Sequence, residues 1–84
     1  AVYIEPITLE FPKNNFLKQV KQLTRKYGSI LIFDEVVTGF RYAKGGAEDY
    51  LKIEPDISAW GKGIANGMPL GAITGKSKFM EKFN

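Results

Sequence analysis

The sequence predicts an α/β protein built on a mostly parallel sheet flanked by helices. Three observations carry that prediction. Ile30 to Phe33 is an apolar run without a polar interruption, the pattern of a strand buried on both faces of a parallel sheet. Upstream, Phe16, Val20, Leu23 and Tyr27 fall at spacings of four, three and four, which is one face of a helix. The order strand, helix, strand across about thirty residues is that of a crossover unit joining parallel strands.

The elements follow in order. Val2 to Glu5 reads as a short strand ended by Pro6, because proline has no amide hydrogen for a sheet ladder. Asn14 or Asn15 can cap the helix that starts at Phe16, and Gly28 stands where a left-handed residue ends one. After the Ile30–Phe33 strand, "YAKGGAEDYLKI" is a Gly-containing loop with a helical turn around Ala47 to Leu51. Ile57 to Trp60 is a third strand, closed by the Gly61-Lys62-Gly63 turn, and Gly71 to Thr74 is a fourth. Ser77 is placed to cap a closing helix.

Composition narrows the class. With 84 residues the chain is at most one small domain, of a size that buries only about 60% of its unfolded surface. The twelve Lys and Arg are scattered and the net charge is +3, so there is no basic stripe for nucleic acid. Cys and His are both absent, which removes disulfides, thiolate metal sites and the commonest general base. The lack of Cys fits a reducing, cytoplasmic compartment. No apolar run nears the ~20 residues of a membrane span. The chain begins inside a strand-like run at "AVYIEP" and stops at "KFMEKFN" within a helix-like one. Complete domains usually start and end in loosely held polar residues, so the expectation is an internal piece of a longer protein.

The chemistry is expected at the carboxyl ends of the strands, where open α/β sheets bind ligands. Glu5, the pair Asp34 and Glu35, and Lys62 all stand at such ends. Two readings compete. "ILIFDE" fits the strand-plus-acid half of a nucleotide-binding P-loop protein, and "GAITGKS" looks like the other half. That loop needs Gly, four residues, then Gly-Lys-Ser. Counting back from Gly75, the first glycine belongs at position 70, which is Leu70; Gly71 is one residue too close. The acid strand also precedes the loop instead of following it.

The second reading comes from a resemblance. "LIFDEVVTGFR" followed by "PDISAWGKGIANGMPLGAITGK" resembles the class III pyridoxal-phosphate-dependent aminotransferases, nearest to the glutamate-1-semialdehyde aminomutase branch. The resemblance covers nearly the whole chain, in family order. It implies that residues 1–84 are the central part of the large cofactor-binding domain of a fold-type I enzyme, an incomplete domain. Carried over by position, Lys62 is the lysine that forms the Schiff base with pyridoxal 5'-phosphate, Asp34 pairs with the pyridine nitrogen, and Val36 packs on the ring. Val36 lies two residues past Asp34 and so on the same side of an extended chain. Glu10 falls where many members place a substrate-gating glutamate, which makes it a candidate substrate contact.

The residue chemistry agrees with these roles. A carboxylate on the pyridine nitrogen keeps it protonated, and the protonated ring stabilises a carbanion beside the imine. A desolvated lysine is a nucleophile and then a proton carrier. Each residue also has a plainer rival: a solvated lysine in a Gly-rich turn, an aspartate capping a turn, a core valine. Glu35 and Arg41 have no role that the residues dictate, and a structural hydrogen bond or ion pair is the expectation for Glu35. The chain departs from the family at "EPITLEFP", where many members have a Gly-rich turn, and at Val37, where many carry glutamine. The resemblance further implies small-molecule amino donors and acceptors, a homodimer with its site at the subunit interface, and cofactor contacts outside this stretch. The stretch alone is therefore expected to be inactive. A catalytically dead homologue kept as a scaffold is the third possibility, which the retained Asp34 and Lys62 oppose.

Overall fold

The computed structural model describes residues 1–83. Four strands form one sheet in chain order: β1 (Val2–Ile4), β2 (Leu31–Asp34), β3 (Ile57–Trp60) and β4 (Ala72–Gly75). The pairs β1·β2 and β2·β3 are parallel and β3·β4 is antiparallel. The sheet is thus mostly parallel, as the sequence predicts. Helix α1 (Phe16–Lys26) connects β1 to β2, α2 (Gly46–Leu51) connects β2 to β3, and α3 (Ser77–Met80) follows β4.

Strand alternation decides which residues form the core. Leu31, Phe33 and Glu35 are buried while Ile32, Asp34 and Val36 are half-buried. The core is Leu17, Leu31 and Phe33, with Ile4, Val20, Leu51 and Ile53 packed against it. Fully burying side chains of this kind contributes about 1.5–3 kcal/mol each. The opposite face shows Tyr3 and Ile73, both more than half exposed; α3 touches it at the β4 end, where a Cβ built on Gly75 would lie 3.2 Å from Met80 Sδ, and leaves the Tyr3–Asp34 side bare. The chain is accordingly a slab, 38 × 36 × 16 Å, little thicker than a sheet plus one helix about 10 Å across. The expectation that β2 is buried on both faces is met on one face only.

Helix α1 packs by a different stripe from the one the spacing suggests. Leu17 and Thr24 are its buried residues, while Phe16, Leu23 and Tyr27 are exposed and Val20 is half-buried. The helix carries two apolar stripes that share Val20, and positions 16 and 17 are about 100° apart around the axis. The sheet can meet only one of them, and Leu17 with Thr24 is the pair that meets it. Asn15 is the N-cap, in left-handed backbone (φ 56°) and without a side-chain cap bond. Asn tolerates that region better than most residues. At the other end Gly28 (φ +66°) closes the helix as expected, its N–H donating to the Arg25 carbonyl at 3.4 Å. Ser77 does not cap α3; Lys76 holds that position and Ser77 is the first helical residue.

Asp56 ties the amino ends of β2 and β3 to the end of β4. Its Oδ2 accepts from the Leu31 N–H at 2.8 Å and its Oδ1 from Lys76 Nζ at 2.9 Å. Its own N–H donates to the Leu31 carbonyl and its carbonyl accepts from the Lys76 N–H. This places the Gly75-Lys76-Ser77 sequence at the end of the sheet away from Asp34, with its lysine paired to an aspartate. That is a second reason, beside the misspaced glycine, against a phosphate loop. Burial pushes the Asp56 carboxyl up, but the Leu31 amide and the Lys76 ammonium outweigh it and hold the group below the ordinary carboxylate range.

A depressed carboxyl stabilises the fold above its unfolded value of about 3.9, and that stability is lost as pH falls through the folded value. Asp56→Ala should lower the unfolding free energy at pH 7 by about 1–3 kcal/mol in urea titrations. The gap between variant and wild type should close as the pH is taken below about 4.

Candidate functional site

The parallel register brings the sequence-predicted residues to one edge. Asp34 ends β2 opposite Ala59 on β3, and Lys62 follows Ala59 by three residues, so acid and lysine stand at adjacent carboxyl ends. Asp34 Oδ1 accepts from the Val36 N–H at 3.0 Å, which turns the chain as β2 ends. Residues 36–41 are consecutive turns, closed by Gly39 N–H to the Glu35 carbonyl (2.8 Å) and Arg41 N–H to the Thr38 carbonyl (3.2 Å). Val36 therefore reaches the site through a turn and not along an extended strand. Its side chain faces the lysine turn: a Cβ built on Gly61 would lie 3.3 Å from Val36 Cγ1.

Lys62 opens a 3₁₀ turn, Lys62–Ile64, with its side chain exposed and its backbone left-handed at φ +41°. For a residue with a Cβ that conformation costs on the order of 1–2 kcal/mol, so the surroundings hold it. Trp60, just upstream, provides part of that hold. Its Nε1–H donates to Thr74 Oγ1 at 2.7 Å and its ring lies 5.7 Å from that of Phe40. Side chains at Gly39 and Gly46 would meet the indole at 2.8 and 2.9 Å. The two glycines are required by this close approach.

Glu35 is completely buried and its role is structural. Oε1 accepts from the Thr38 hydroxyl and from the Ala47 N–H (2.8 Å), and Oε2 from the Glu48 N–H (3.1 Å). Ala47 and Glu48 are in the first turn of α2, so the carboxylate caps that helix from twelve residues upstream, where negative charge also suits the helix dipole. The role expected of Glu35 is met by hydrogen bonds, and its described partners include no cation. Next to it, burial pushes the Glu48 carboxyl up, against the pull of the Ser58 hydroxyl that donates to it, and the Glu35 charge adds to the rise.

Glu10 is in the β1–α1 loop, where its described partner is Lys13 at 3.1 Å in an exposed pair; no described bond joins it to Asp34, Val36 or Lys62. Arg41 Nε–H donates to the Val37 carbonyl at 2.6 Å, within its own turn. Trp60, Thr38 and the capping use of Glu35 are what residue reasoning missed. A signal was present: "GGAEDYL" starts a helix with no Ser, Thr, Asp or Asn ahead of it, so its free amides needed an acceptor from elsewhere.

The sheet is mostly parallel, with an acid and a lysine on adjacent carboxyl ends, the edge at which open α/β sheets in general bind ligands. The comparisons make the class specific. The model of the family described as aminotransferase class-III matches residues 1–84. A glutamate-1-semialdehyde 2,1-aminomutase of Aquifex aeolicus (strain VF5) is 47% identical over 86 residues, covering 98% of this chain and 20% of that protein. Among solved structures, an omega-transaminase from Sphaerobacter thermophilus superposes with a TM-score of 0.88 at 39% identity, covering 95% of this chain and 19% of that one. A transaminase with PLP bound gives 0.88 at 36%, covering 95% and 20%. The chain belongs to the class III aminotransferases, and it spans about one fifth of the length of these relatives.

Adjacent acids should respond oppositely to substitution. Glu35→Ala strands two backbone amides and a hydroxyl, and should destabilise by about 3 kcal/mol in denaturant titration. Asp34→Asn keeps an oxygen for the Val36 amide and should change stability by less than about 1 kcal/mol.

Proposed function

We propose that residues 1–84 are the central part of the pyridoxal-phosphate-binding large domain of an enzyme that moves an amino group, within one small substrate or between two. The observation that carries this reading is the convergence of Asp34, Val36 and the Lys62 turn at neighbouring ends of β2 and β3 in a class III aminotransferase chain. The donor set suits the cofactor. Asp34 keeps Oδ2 free of any described bond, Lys62 carries an exposed primary amine, and Val36 supplies an apolar wall against Gly61. Bound there, the cofactor supplies a protonated, conjugated ring that takes up an electron pair from the carbon beside the amino nitrogen.

Each residue then has a defined task. Asp34 accepts a charge-assisted hydrogen bond from the ring nitrogen and holds the proton on that atom. Val36 covers the ring and excludes water. Lys62 Nζ is the covalent attachment point and, when released by substrate, carries a proton between carbon atoms. The 3₁₀ turn fixes where that amine starts. Glu10, on the loop after β1, is proposed as a substrate contact that exchanges its exposed pairing with Lys13 for a substrate group. The identity to a glutamate-1-semialdehyde 2,1-aminomutase and the apolar Val37 favour the aminomutase branch. A homodimer and cofactor contacts outside residues 1–84 complete the reading, so this stretch by itself is inactive.

In the full-length protein loaded with pyridoxal phosphate, borohydride reduction followed by peptide mapping should place the label on Lys62. Lys62→Ala should take up no label, and Asp34→Asn should lower kcat about a hundredfold or more. Label on another lysine, or a protein that takes up no pyridoxal phosphate, overturns the reading. A screen of amino donors and acceptors, with and without an added keto acid, separates mutase from transferase.

A further inference from the structure

The bare face of the sheet carries one polar group that the proposed chemistry leaves unused. Tyr3 is paired with Ile32, and Asp34 comes two residues later on the same strand, so alternation puts Tyr3, Ile32 and Asp34 on one face. Tyr3 is therefore one diagonal step from Asp34, a separation that an aromatic side chain spans. The residue is 59% exposed, on the open side of the sheet. The other residues of that face in β3 and β4, namely Ile57, Ala59 and Ile73, carry no charge. Glu5 beyond β1, Arg41 in the turn after β2 and Lys62 beyond β3 are ionisable groups toward the same edge.

Asp34 has one oxygen committed and one available, since Oδ1 accepts from the Val36 N–H. A carboxylate held at one oxygen still rotates broadly about its last torsion. A second donor from the β1 side would stop that rotation and leave a lone pair aimed outward from the strand end. Tyr3, on the same face of the neighbouring strand, is the candidate donor. Hydrogen bonding to Asp34 is the main cause that raises the Tyr3 phenol above its ordinary pKa, ahead of burial and the direct repulsion of the Asp34 charge. The phenol is thus kept protonated as a donor.

We propose that Tyr3 is a positioning residue: its hydroxyl donates to the Asp34 carboxylate from β1 and fixes the orientation in which Asp34 meets the cofactor's ring nitrogen. The inference rests on Asp34 being the ring-nitrogen partner.

The test uses the full-length protein. Without cofactor, a tyrosinate absorbance titration of wild type minus Tyr3→Phe isolates Tyr3. Its midpoint should lie above about 10 and return toward that value in Asp34→Asn. With pyridoxal phosphate, Tyr3→Phe should bind the cofactor about five- to tenfold more weakly and shift the pH midpoint of its visible absorption, with an unchanged Tm. A Tyr3 midpoint that is the same in wild type and Asp34→Asn, or an unchanged cofactor affinity in Tyr3→Phe, overturns the proposal. If borohydride still labels Lys62 in that case, the site reading survives and only the role of Tyr3 falls. If Lys62 is never labelled, both fall.

Discussion

The buried carboxylate of Glu35 is the constraint on which the other parts depend. It gathers three donors from two separate segments: the Thr38 hydroxyl in the turn after β2, and the Ala47 and Glu48 amides that begin α2. A buried carboxyl group is costly unless its oxygens are satisfied, so the turn and the helix must arrive together. Their arrival creates the narrow space over Gly39 and Gly46 into which Trp60 fits. Trp60 in turn leads into the lysine turn. Order in the turn that carries the exposed amine thus traces back to a carboxyl group with no access to solvent.

The two acids of "FDE" divide their work by direction. Successive side chains on a strand point to opposite faces. Glu35 enters the helix-covered side with Leu31 and Phe33, while Asp34 faces the bare side with Ile32 and Tyr3. Two carboxyl groups one residue apart therefore meet opposite environments, one closed by donors from its own protein and one on the more exposed face. The ends of the sheet are divided as well. Asp56 and Lys76 lock the amino ends of β2 and β3 to β4, and Asp34 and Lys62 stand at the opposite, carboxyl ends. A parallel sheet normally has both faces covered, and the bare face here is the one that carries Asp34.

Much of this was legible in the residues. The four strands fall within a residue or two of the positions that their apolar runs mark, because β-branched and aromatic clusters bounded by Gly and Pro leave few other choices. The placing of Asp34 and Lys62 at adjacent carboxyl ends followed from reading both as strand-end residues. The helix stripe was misread because α1 offers two apolar stripes through Val20, and spacing cannot say which one the sheet meets. Val36 was reached by the wrong path, since an aspartate that accepts from the amide two residues on makes a turn where a continued strand was expected.

What the sequence by itself determined is the class of fold, the family and the residue types available at the strand ends, because these depend on local pattern and on spacing along the chain. Only the tertiary structure decided which side each residue works on. Register sent Asp34 and Tyr3 to the open face, and the folding back of α2 gave Glu35 its donors from twelve and thirteen residues away. The reason is physical: hydrogen-bond partners far apart in sequence are chosen by where the sheet and helices place them.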